Sequence, residues 1–369
     1  INAIVTDYNG DGRGDLLYSN GSTWQVMLST GKTTGTDPYV VVQSTTISSD
    51  GWDRAPKLMD VTGNGLPDLV VAANSGTWQL RPHNGARPDY LTSVSNGMGV
   101  ETTFDYKPLT DVSVYTRGTG SNLSGYPAPT MSRGAYLVSQ LRQSDGIGGF
   151  NATSYLYKYL RVHQRGLGSL GFAEMTTTNV DTNIKTEATF NQDYAAHLQR
   201  ALITLKTTAV TPNKVLSNTT NTWSVLTANA GTVAERYQRR LDATSIVKKD
   251  LNGSFLHREE STYPSYDAFG NILTMESNIY TAEFGGDLSR TTATTNVYTN
   301  DASATWLVGL LTKSTVTSNV IYVSLITRQV RFTYDAATGR KTREQILNPA
   351  NSAVLSTTDY GKDASGVTR

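Results

Sequence analysis

Apolar and polar residues alternate along much of the chain, and the alternating runs are short and end at polar, glycine-rich turns. Near the start, Leu16 to Tyr18, a turn at Asn20-Gly21 and the run Trp24 to Leu28 predict a β-hairpin. From about residue 186 onward the chain becomes a series of amphipathic strands separated by polar turns. The pattern therefore predicts an all-β protein in which tight turns connect the strands.

A loop rich in oxygen-bearing side chains precedes the first hairpin. Five residues supply the predicted ligands of this loop, four through side chains and Arg13 through its carbonyl: Asp7, Asn9, Asp11, Arg13 and Asp15. Hard oxygen ligands in this number suit Ca²⁺ better than Mg²⁺ or a transition metal. An EF-hand is not predicted, because Tyr18 stands where the bidentate Glu would be and a hairpin follows where a helix would.

The loop and its hairpin occur a second time. The second set of predicted ligands is Asp60, Thr62, Asn64, Leu66 (through its carbonyl) and Asp68. A turn at residues 74–76 and the run Trp78 to Leu80 complete the hairpin, and Trp24 and Trp78 are 54 residues apart. A period near 50 residues is typical of propeller blades or a similar array. Thr62 replaces an acidic or amide ligand, so we expect the second site to be weaker; asparagine- and aspartate-rich turns without a metal are the alternative.

The middle of the chain carries glycine-rich turns between aromatic strands. Predicted here are a turn at Asn96–Val100, a strand at Thr102–Pro108, a long surface loop at 116–134, a hairpin around Asp145–Gly149, a glycine-rich turn at Arg165–Phe172 and a strand at Thr176–Asn179.

A Tyr-Asp turn unit recurs in the last part of the chain. In Tyr263–Leu273 and Phe332–Lys341 an aromatic strand enters a turn with Asp and Gly, and a strand returns. We expect the Asp to accept backbone N–H groups and the Gly to take the positive φ. Tyr360–Val367 is a degenerate copy and Phe190–Leu198 a weak fourth. Such hairpins are unstable alone, so they are expected to stack into a continuous strip.

Composition narrows the possible functions. The 369 residues carry a net charge of +1 and 17% charged residues, which gives no reason to expect nucleic acid or an anionic membrane as partner. The absence of cysteine excludes disulfides and thiolate sites, and no apolar run reaches the length of a membrane span. We expect the true N-terminus to lie upstream of Ile1.

No motif of an enzyme is present in the sequence. The four histidines lie far apart, and each is expected on the surface or on an edge strand. Ser169 lacks the glycine two residues before it that a nucleophile elbow requires, since position 167 is leucine. Gly146–Gly149 lacks the lysine of a phosphate-binding loop, and Asp267 and Asp335 stand in repeated turn positions. A pair of distant carboxylates, as in glycosidases, stays open.

Three resemblances follow from these motifs. The two loops resemble FG-GAP repeats, the calcium-loop blades of integrin-type β-propellers. The Tyr-x-Tyr strand at Ser154–Tyr159, the Arg-Gly turn at Arg165–Phe172 and these blades occur in an order that resembles the B component of insecticidal toxin complexes. The Tyr-Asp units resemble the YD repeats of RHS proteins. The resemblance implies three segments: the last two propeller blades at 1–91, a β-rich linker domain at 92–185, and the first strips of a curved, shell-like sheet at 186–369.

The same resemblance implies a non-catalytic, secreted structural protein of virulence. Its shell would enclose a C-terminal toxin cargo, and its Ca²⁺-pinned blades would form a plug or a docking surface for a delivery-channel subunit or another shell subunit. The cargo and the self-cleaving core would lie beyond this chain. An extracellular binding or adhesion protein that uses the propeller as a ligand platform is the alternative, and a secreted propeller hydrolase is a third.

Overall fold

A computed structural model describes residues 3–32, 40–49, 54–72, 76–83, 90–119, 125–131, 135–211, 213–303, 306–320, 323 and 325–361. Among these residues the regular elements are 26 β-strands, and no helix occurs. The chain divides into two compact units, Ile1–Thr182 and Asn183–Arg369. The all-β prediction is confirmed. Part of the predicted turn at 74–76 and part of the degenerate copy Tyr360–Val367 lie outside the described residues.

The first repeat sheet is an antiparallel meander of four strands: β1 (Ala3–Thr6), β2 (Asp15–Ser19), β3 (Thr23–Ser29) and β4 (Val40–Ser48). The first candidate loop connects β1 to β2. Leu17 pairs with Val26 and Ser19 with Trp24, which confirms the predicted hairpin.

The second repeat sheet consists of β5 (Arg54–Met59), β6 (Asp68–Ala72) and β7 (Trp78–Arg81), again antiparallel. The second candidate loop connects β5 to β6, in the place that the first loop has in its own sheet. The two repeat sheets share one core of buried side chains, which consists of Leu17, Trp24, Val26, Ile47, Leu69 and Val71.

A further set of paired strands lies in the rest of the first unit. It contains β8 (Ser93–Ser95), β9 (Glu101–Pro108), β10 (Tyr115–Thr116), β11 (Tyr136–Ser144), β12 (Phe150–Lys158) and β15 (Glu174–Asn179). Its own buried cluster is Leu109, Val114, Tyr115 and Tyr157.

One prediction in the middle region was partly wrong. Residues 164–167 form a turn, but Gly168–Gly171 is a strand, β14, which pairs with β13 (Arg161–His163). Glycines inside a short two-stranded ladder give the sequence pattern of a turn. The pattern therefore predicted a turn that continues into β14. The predicted hairpin around Asp145–Gly149 is confirmed, with Ser144 opposite Phe150.

The second unit is one antiparallel meander in which each strand pairs with the next. Its strands are β16 (Ile184–Phe190), β17 (Leu202–Ala209), β18 (Lys214–Ala228), β19 (Arg236–Lys249), β20 (Phe255–Tyr266), β21 (Ile272–Tyr280), β22 (Leu288–Asp301), β23 (Leu307–Val320), β24 (Ile326–Tyr334), β25 (Lys341–Leu347) and β26 (Val354–Asp359).

Few side chains of this meander are buried. Among its described residues the buried apolar side chains are Ala201, Ala209 and Leu347. The two hydrophobic clusters found among the described residues of the chain both lie in the first unit. Facing threonines on neighbouring strands approach each other instead, for example Thr186 and Thr207 at 3.2 Å between their hydroxyl oxygens. The backbone ladder and cross-strand pairs therefore hold the meander together, rather than a core between two layers.

Candidate metal loops and the turn anchors

The first loop curls because its side-chain oxygens accept its own backbone N–H groups. Asp7 accepts from Gly12 at 2.9 Å, and Asp11 accepts from Arg13 at 2.9 Å. The amide oxygen of Asn9 accepts the N–H of Asp11 at 3.2 Å. The Arg13 N–H, helped by the Asn9 side chain and the Arg13 guanidinium, lowers the pKa of Asp11 below its ordinary value. The predicted ligands Asp7, Asn9 and Asp11 thus all take part in the folding of the loop.

Asp15 closes the loop from its far end. Its side chain is buried because it is the first residue of β2. One carboxylate oxygen accepts the N–H of Tyr8 at 3.0 Å, and the other accepts the N–H of Ser29, at the end of β3, at 2.8 Å. The carboxylate therefore fixes the loop to the end of its own hairpin.

The second loop repeats two of these contacts at the same positions. Asp60 accepts the N–H of Gly65 at 2.8 Å, as Asp7 does with Gly12. Asn64 accepts the N–H of Leu66 at 2.9 Å, as Asp11 does with Arg13. The two loops therefore have the same backbone fold despite the exchange of an aspartate for an asparagine.

Asp68 carries more hydrogen bonds than its counterpart Asp15. Its side chain has no exposed surface, and one oxygen accepts the N–H of Val61 and both the N–H and the hydroxyl of Thr62 at 2.8 to 2.9 Å. Its other oxygen accepts the N–H of His83 at 2.8 Å. The Thr62 hydroxyl, a predicted ligand, therefore donates a hydrogen bond to Asp68, the last carboxylate of the same loop.

A ring stack that no sequence motif predicts connects the first loop to the residues that hold the second loop. The ring of Tyr8, in the first loop, lies 4.1 Å from the ring of His83 at an interplanar angle of 14°. The carbonyl of His83 accepts from the side-chain amide of Asn64 at 2.7 Å. Burial lowers the pKa of His83, against the opposing effect of the Asp68 carboxylate, and burial raises the pKa of Tyr8.

The donor chemistry of both loops fits a hard cation, since every predicted ligand atom is an oxygen. In the described part of the chain, no group of three or more His, Asp or Glu side chains lies close enough to hold a metal ion. A cation would therefore also need asparagine and carbonyl oxygens. The first loop fits better, because in the second loop Thr62 and Asp68 are bonded to each other.

The turns of the second unit have the predicted mechanism. Asp267 accepts the N–H groups of Phe269 and Asn271, both at 2.9 Å, and Gly270 has a φ of 91°. A methyl group on Gly270 would overlap the side chain of Gln238. Glycine is therefore favoured at this turn by its positive φ, and any larger residue would also displace the end of the Gln238 side chain.

The second turn of this kind confirms the pattern with one extra residue. Asp335 accepts the N–H groups of Ala337 and Thr338 at 3.1 and 2.8 Å, and the Thr338 hydroxyl at 2.7 Å. Gly339 has a φ of 69°. The Asp335 carboxylate lies in an exposed turn, in the role that the sequence predicted.

The tyrosine before each of these turns anchors its strand to the previous one. The hydroxyl of Tyr266 donates to the carbonyl of Leu241 at 2.6 Å, and that of Tyr334 donates to the carbonyl of Leu311 at 2.9 Å. Burial raises the pKa of both tyrosines. The repeated unit therefore consists of a turn carboxylate and a tyrosine that bonds to the neighbouring strand.

The other residues considered in the sequence have structural contacts. Ser169 accepts the N–H of Gly171 at 3.2 Å within β14. His163 is buried, but it lies on β13 of a two-stranded ladder, which agrees with the predicted edge-strand position, and His197 stacks on Tyr237. Within the described ranges no helix is long and apolar enough to cross a membrane.

Comparison with known proteins gives a family match and several structural matches. Residues 7–97 match the FG-GAP-like repeat, a span that contains both candidate loops. The crystal structure of TcdB2-TccC3 matches 98% of this chain at 14% identity with a TM-score of 0.64, and the form without the hypervariable C-terminal region matches with a TM-score of 0.63. The Tc holotoxin pore of Photorhabdus luminescens matches 94% of the chain at 14% identity with a TM-score of 0.62.

These matches concern a fraction of the larger proteins. The chain spans less than a quarter of each of them, between 22% and 23% of their length. No curated protein matches the chain. At this identity the similarity shows the fold, so the chain combines FG-GAP-like repeats with the fold of a segment of the TcdB2-TccC3 structure.

Proposed function

We propose that this chain is a non-catalytic structural part of a secreted, toxin-enclosing shell of the RHS type. The observation that carries the proposal is the meander of the second unit. It is a long antiparallel sheet with repeated Tyr-Asp turns, and its described residues contain no buried hydrophobic cluster. The wall of a shell can be a single-layer sheet in which each strand pairs with the next. An ordinary two-layer domain needs a hydrophobic core between its layers.

The exposed apolar side chains of the meander support a wall. Leu355, Leu256 and Val297 are 63%, 57% and 49% exposed on three different strands. Such residues suit the inner surface of a shell that encloses an unfolded or partly folded chain. The fold shared with TcdB2-TccC3 is consistent with this role, and in our proposal the enclosed partner is a C-terminal toxin cargo.

Electron cryo-microscopy of the full-length natural protein tests the shell. We expect the strands of the second unit to form part of a wall around internal density. Density in which a second layer packs against this meander to make a solid domain would overturn the shell. Specific binding to a host surface without internal density would favour the adhesion alternative.

For the first unit we propose two propeller blades that Ca²⁺ stabilises, forming a plug or a docking surface for a channel subunit or another shell subunit. The residues that would hold the ion in the first loop are Asp7, Asn9, Asp11 and Asp15 with the carbonyl of Arg13. When bound, the ion would supply positive charge that offsets the negative charge of the loop carboxylates. In the second loop the Thr62 hydroxyl is engaged by Asp68, which supports the first loop as the stronger site.

Thermal unfolding with and without Ca²⁺ tests the metal proposal. A ligand that binds only the native state stabilises it by about 2.7 kcal/mol at 100 times its Kd. We expect Ca²⁺ to raise the melting temperature relative to chelator, Asp11→Ala to remove most of the rise, and Asp60→Ala to remove less. Identical melting curves of the unaltered protein in Ca²⁺ and in chelator would overturn the metal proposal and leave the shell unaffected.

A further inference from the structure

A row of side chains crosses one face of the second unit beside the end of β21. Lys206 on β17 pairs with Asn218 on β18, and Asn218 pairs with Val247 on β19. Val247 pairs with Arg258 on β20, and Arg258 pairs with Tyr280, the last residue of β21. Because the side chains of directly paired residues lie on the same face of a sheet, these residues form one row.

The loop at residues 281–287, which connects β21 to β22, folds back over this row. The Arg258 guanidinium donates to the carbonyl of Glu283 at 3.1 Å and to the carbonyl of Gly285 at 3.2 Å. The carboxylate of Glu283 reaches Lys249, on β19, at 2.6 Å. The loop therefore covers part of β20 and extends as far as β19.

Several contacts hold the backbone of this loop in place. Its ends are joined, since the N–H of Thr281 donates to the carbonyl of Asp287 at 3.1 Å and the N–H of Asp287 donates to the Thr281 hydroxyl at 3.2 Å. A methyl group on Gly286 would lie 2.8 Å from the backbone nitrogen of Ala282, so this close turn requires glycine. In the middle of the loop Phe284 is 85% exposed. An aromatic ring on a backbone that is already ordered loses little conformational freedom on binding.

A groove of about 390 Å³ lies between the loop and the sheet, and we call it the loop groove. Besides Lys249, the side chains that line it are those of Lys206, Val215, Asn218, Val247, Glu283 and Phe284. A bulge in β18 next to Val215 turns this side chain toward the groove. The groove is therefore apolar through two valines and a phenylalanine, and polar through a lysine and an amide.

The loop groove carries one positive charge that no carboxylate of the described residues offsets. Lys249 is paired with Glu283 inside the groove. Glu187, which lies opposite Lys206 on β16, pairs instead with Lys185 at 3.0 Å. Lys206 is exposed and forms no ion pair within the described part of the chain. The charge of the groove therefore favours a partner that brings a carboxylate to Lys206 and an apolar group to the apolar walls.

We propose that the loop groove binds a polypeptide segment in which an apolar side chain stands next to a carboxylate. The apolar side chain fills the space between Phe284, Val215 and Val247, and the carboxylate accepts from Lys206. The exposed ring of Phe284 becomes buried, as the aromatic anchor of an interface does. The side-chain amide of Asn218 offers a donor and an acceptor to the backbone of the segment. This site goes beyond the wall proposed for the second unit, because the wall itself requires no ligand.

NMR of the full chain with labelled valine methyl groups tests the site. The probe is a short blocked peptide that carries a phenylalanine followed by a glutamate, and its analogue has glutamine in place of the glutamate. We expect the methyl signals of Val215 and Val247 to shift when the probe is added. The analogue should bind about threefold more weakly, because it lacks the charge. Unchanged signals of both valines at millimolar probe would overturn the site.

Two variants separate the two parts of the recognition. Lys206→Gln should abolish the preference for glutamate over glutamine, and Phe284→Ala should weaken the binding of both peptides about fivefold or more. Lys248→Gln is the control for the charge, because Lys248 follows Val247 on β19 and its side chain lies on the opposite face. Phe269→Ala is the control for the ring, because Phe269 is 43% exposed in a different turn.

The methyl spectrum of each variant also shows whether it is folded, since signals far from the groove should not move. A preference for glutamate that persists in Lys206→Gln, or equal binding by the unaltered protein and Phe284→Ala, would overturn the loop groove as the site. Either result leaves the shell proposal intact, because electron cryo-microscopy judges the wall without any added peptide.

Discussion

At the scale of single residues, the carboxylates of Asp68 and Asp335 have contrasting roles. Asp68 is fully buried and accepts hydrogen bonds from the backbone at both ends of its hairpin. Asp335 is exposed and accepts from its own turn only. Asp68 connects distant parts of the chain, whereas Asp335 shapes a local turn. Substitutions at the two sites should therefore lower the free energy of unfolding by different amounts.

Replacing Asp68 by alanine should strongly destabilise the second repeat sheet. The N–H groups of Thr62 and His83 would lose the Asp68 carboxylate, whereas the N–H of Val61 keeps the carbonyl of Met59 as acceptor. A buried polar group left unpaired costs about 1–3 kcal/mol. Hydrogen exchange at β6 and β7 measures the loss. Asp145→Ala, in an exposed turn where Asp145 accepts from Ile147 and Gly149, is the control and should change exchange little. Equal effects of the two changes would contradict the structural role of Asp68.

The pKa of Asp335 should lie below the ordinary value of 3.8, chiefly because the Thr338 side chain donates to it. Since the pKa is depressed in the folded state, the carboxylate stabilises the turn above pH 3.8, and this contribution is lost as the pH falls through the folded pKa. NMR titration should show the pKa rising toward its ordinary value in Thr338→Val. Thr342→Val, whose hydroxyl donates to Thr333 instead, should leave it unchanged.

At the scale of elements, each Tyr-Asp repeat in the second compact unit combines a local turn with a hydrogen bond to the preceding strand. The turn requires Gly270 and Asp267, which are near in sequence. The bond from Tyr266 to Leu241 joins residues far apart in sequence. The second contact depends on strand register, because a shift by one residue would turn the tyrosine to the other face.

Tyr266→Phe should weaken the pairing of β19 and β20 by about 1 kcal/mol, because it leaves the carbonyl of Leu241 without the hydroxyl donor. Tyr334→Phe should have a similar effect on β23 and β24. Hydrogen exchange of amides in these strands provides the measurement, with Tyr263→Phe on the same strand as the control. No difference between Tyr266→Phe and the control would show that the hydroxyl is not an anchor.

At the scale of the whole molecule, the two units are stabilised by different means. In the first unit buried clusters hold sheets together, as Trp24, Leu69 and Val71 show. In the second unit the described residues rely on strand ladders and turns. Truncation of a large apolar side chain should therefore lower the free energy of unfolding strongly only where a second sheet covers that side chain.

Leu69→Ala should destabilise the first unit by about 2–5 kcal/mol, since it opens a cavity in the shared core. Leu80→Ala is the matched control, because it removes the same atoms from the opposite face of the same sheet, where Leu80 is 40% exposed. Chemical denaturation at a low protein concentration compares the two. A larger loss for Leu80→Ala would mean that the covered and open faces have been assigned the wrong way round.

Much of the local structure could be predicted from the sequence. Alternation of apolar residues predicted the hairpin of β2 and β3, and the Asp and Gly of the turn at 267–270 predicted its hydrogen bonds and positive φ. These features depend on residues that are neighbours along the chain. The strand at Gly168–Gly171 was missed because two short paired segments leave no alternation to detect.

The sequence alone determined that this is an all-β protein with two like loops and repeated Tyr-Asp turns, because period, turn residues and spacing are local properties. Only the tertiary structure decided which of two residues at equivalent positions of the repeat is buried and which is exposed. Trp24 and Trp78 occupy the same position of a repeat, yet one is buried and the other 61% exposed. Burial depends on which sheet lies above a face, and that sheet comes from a part of the chain that the local pattern does not contain.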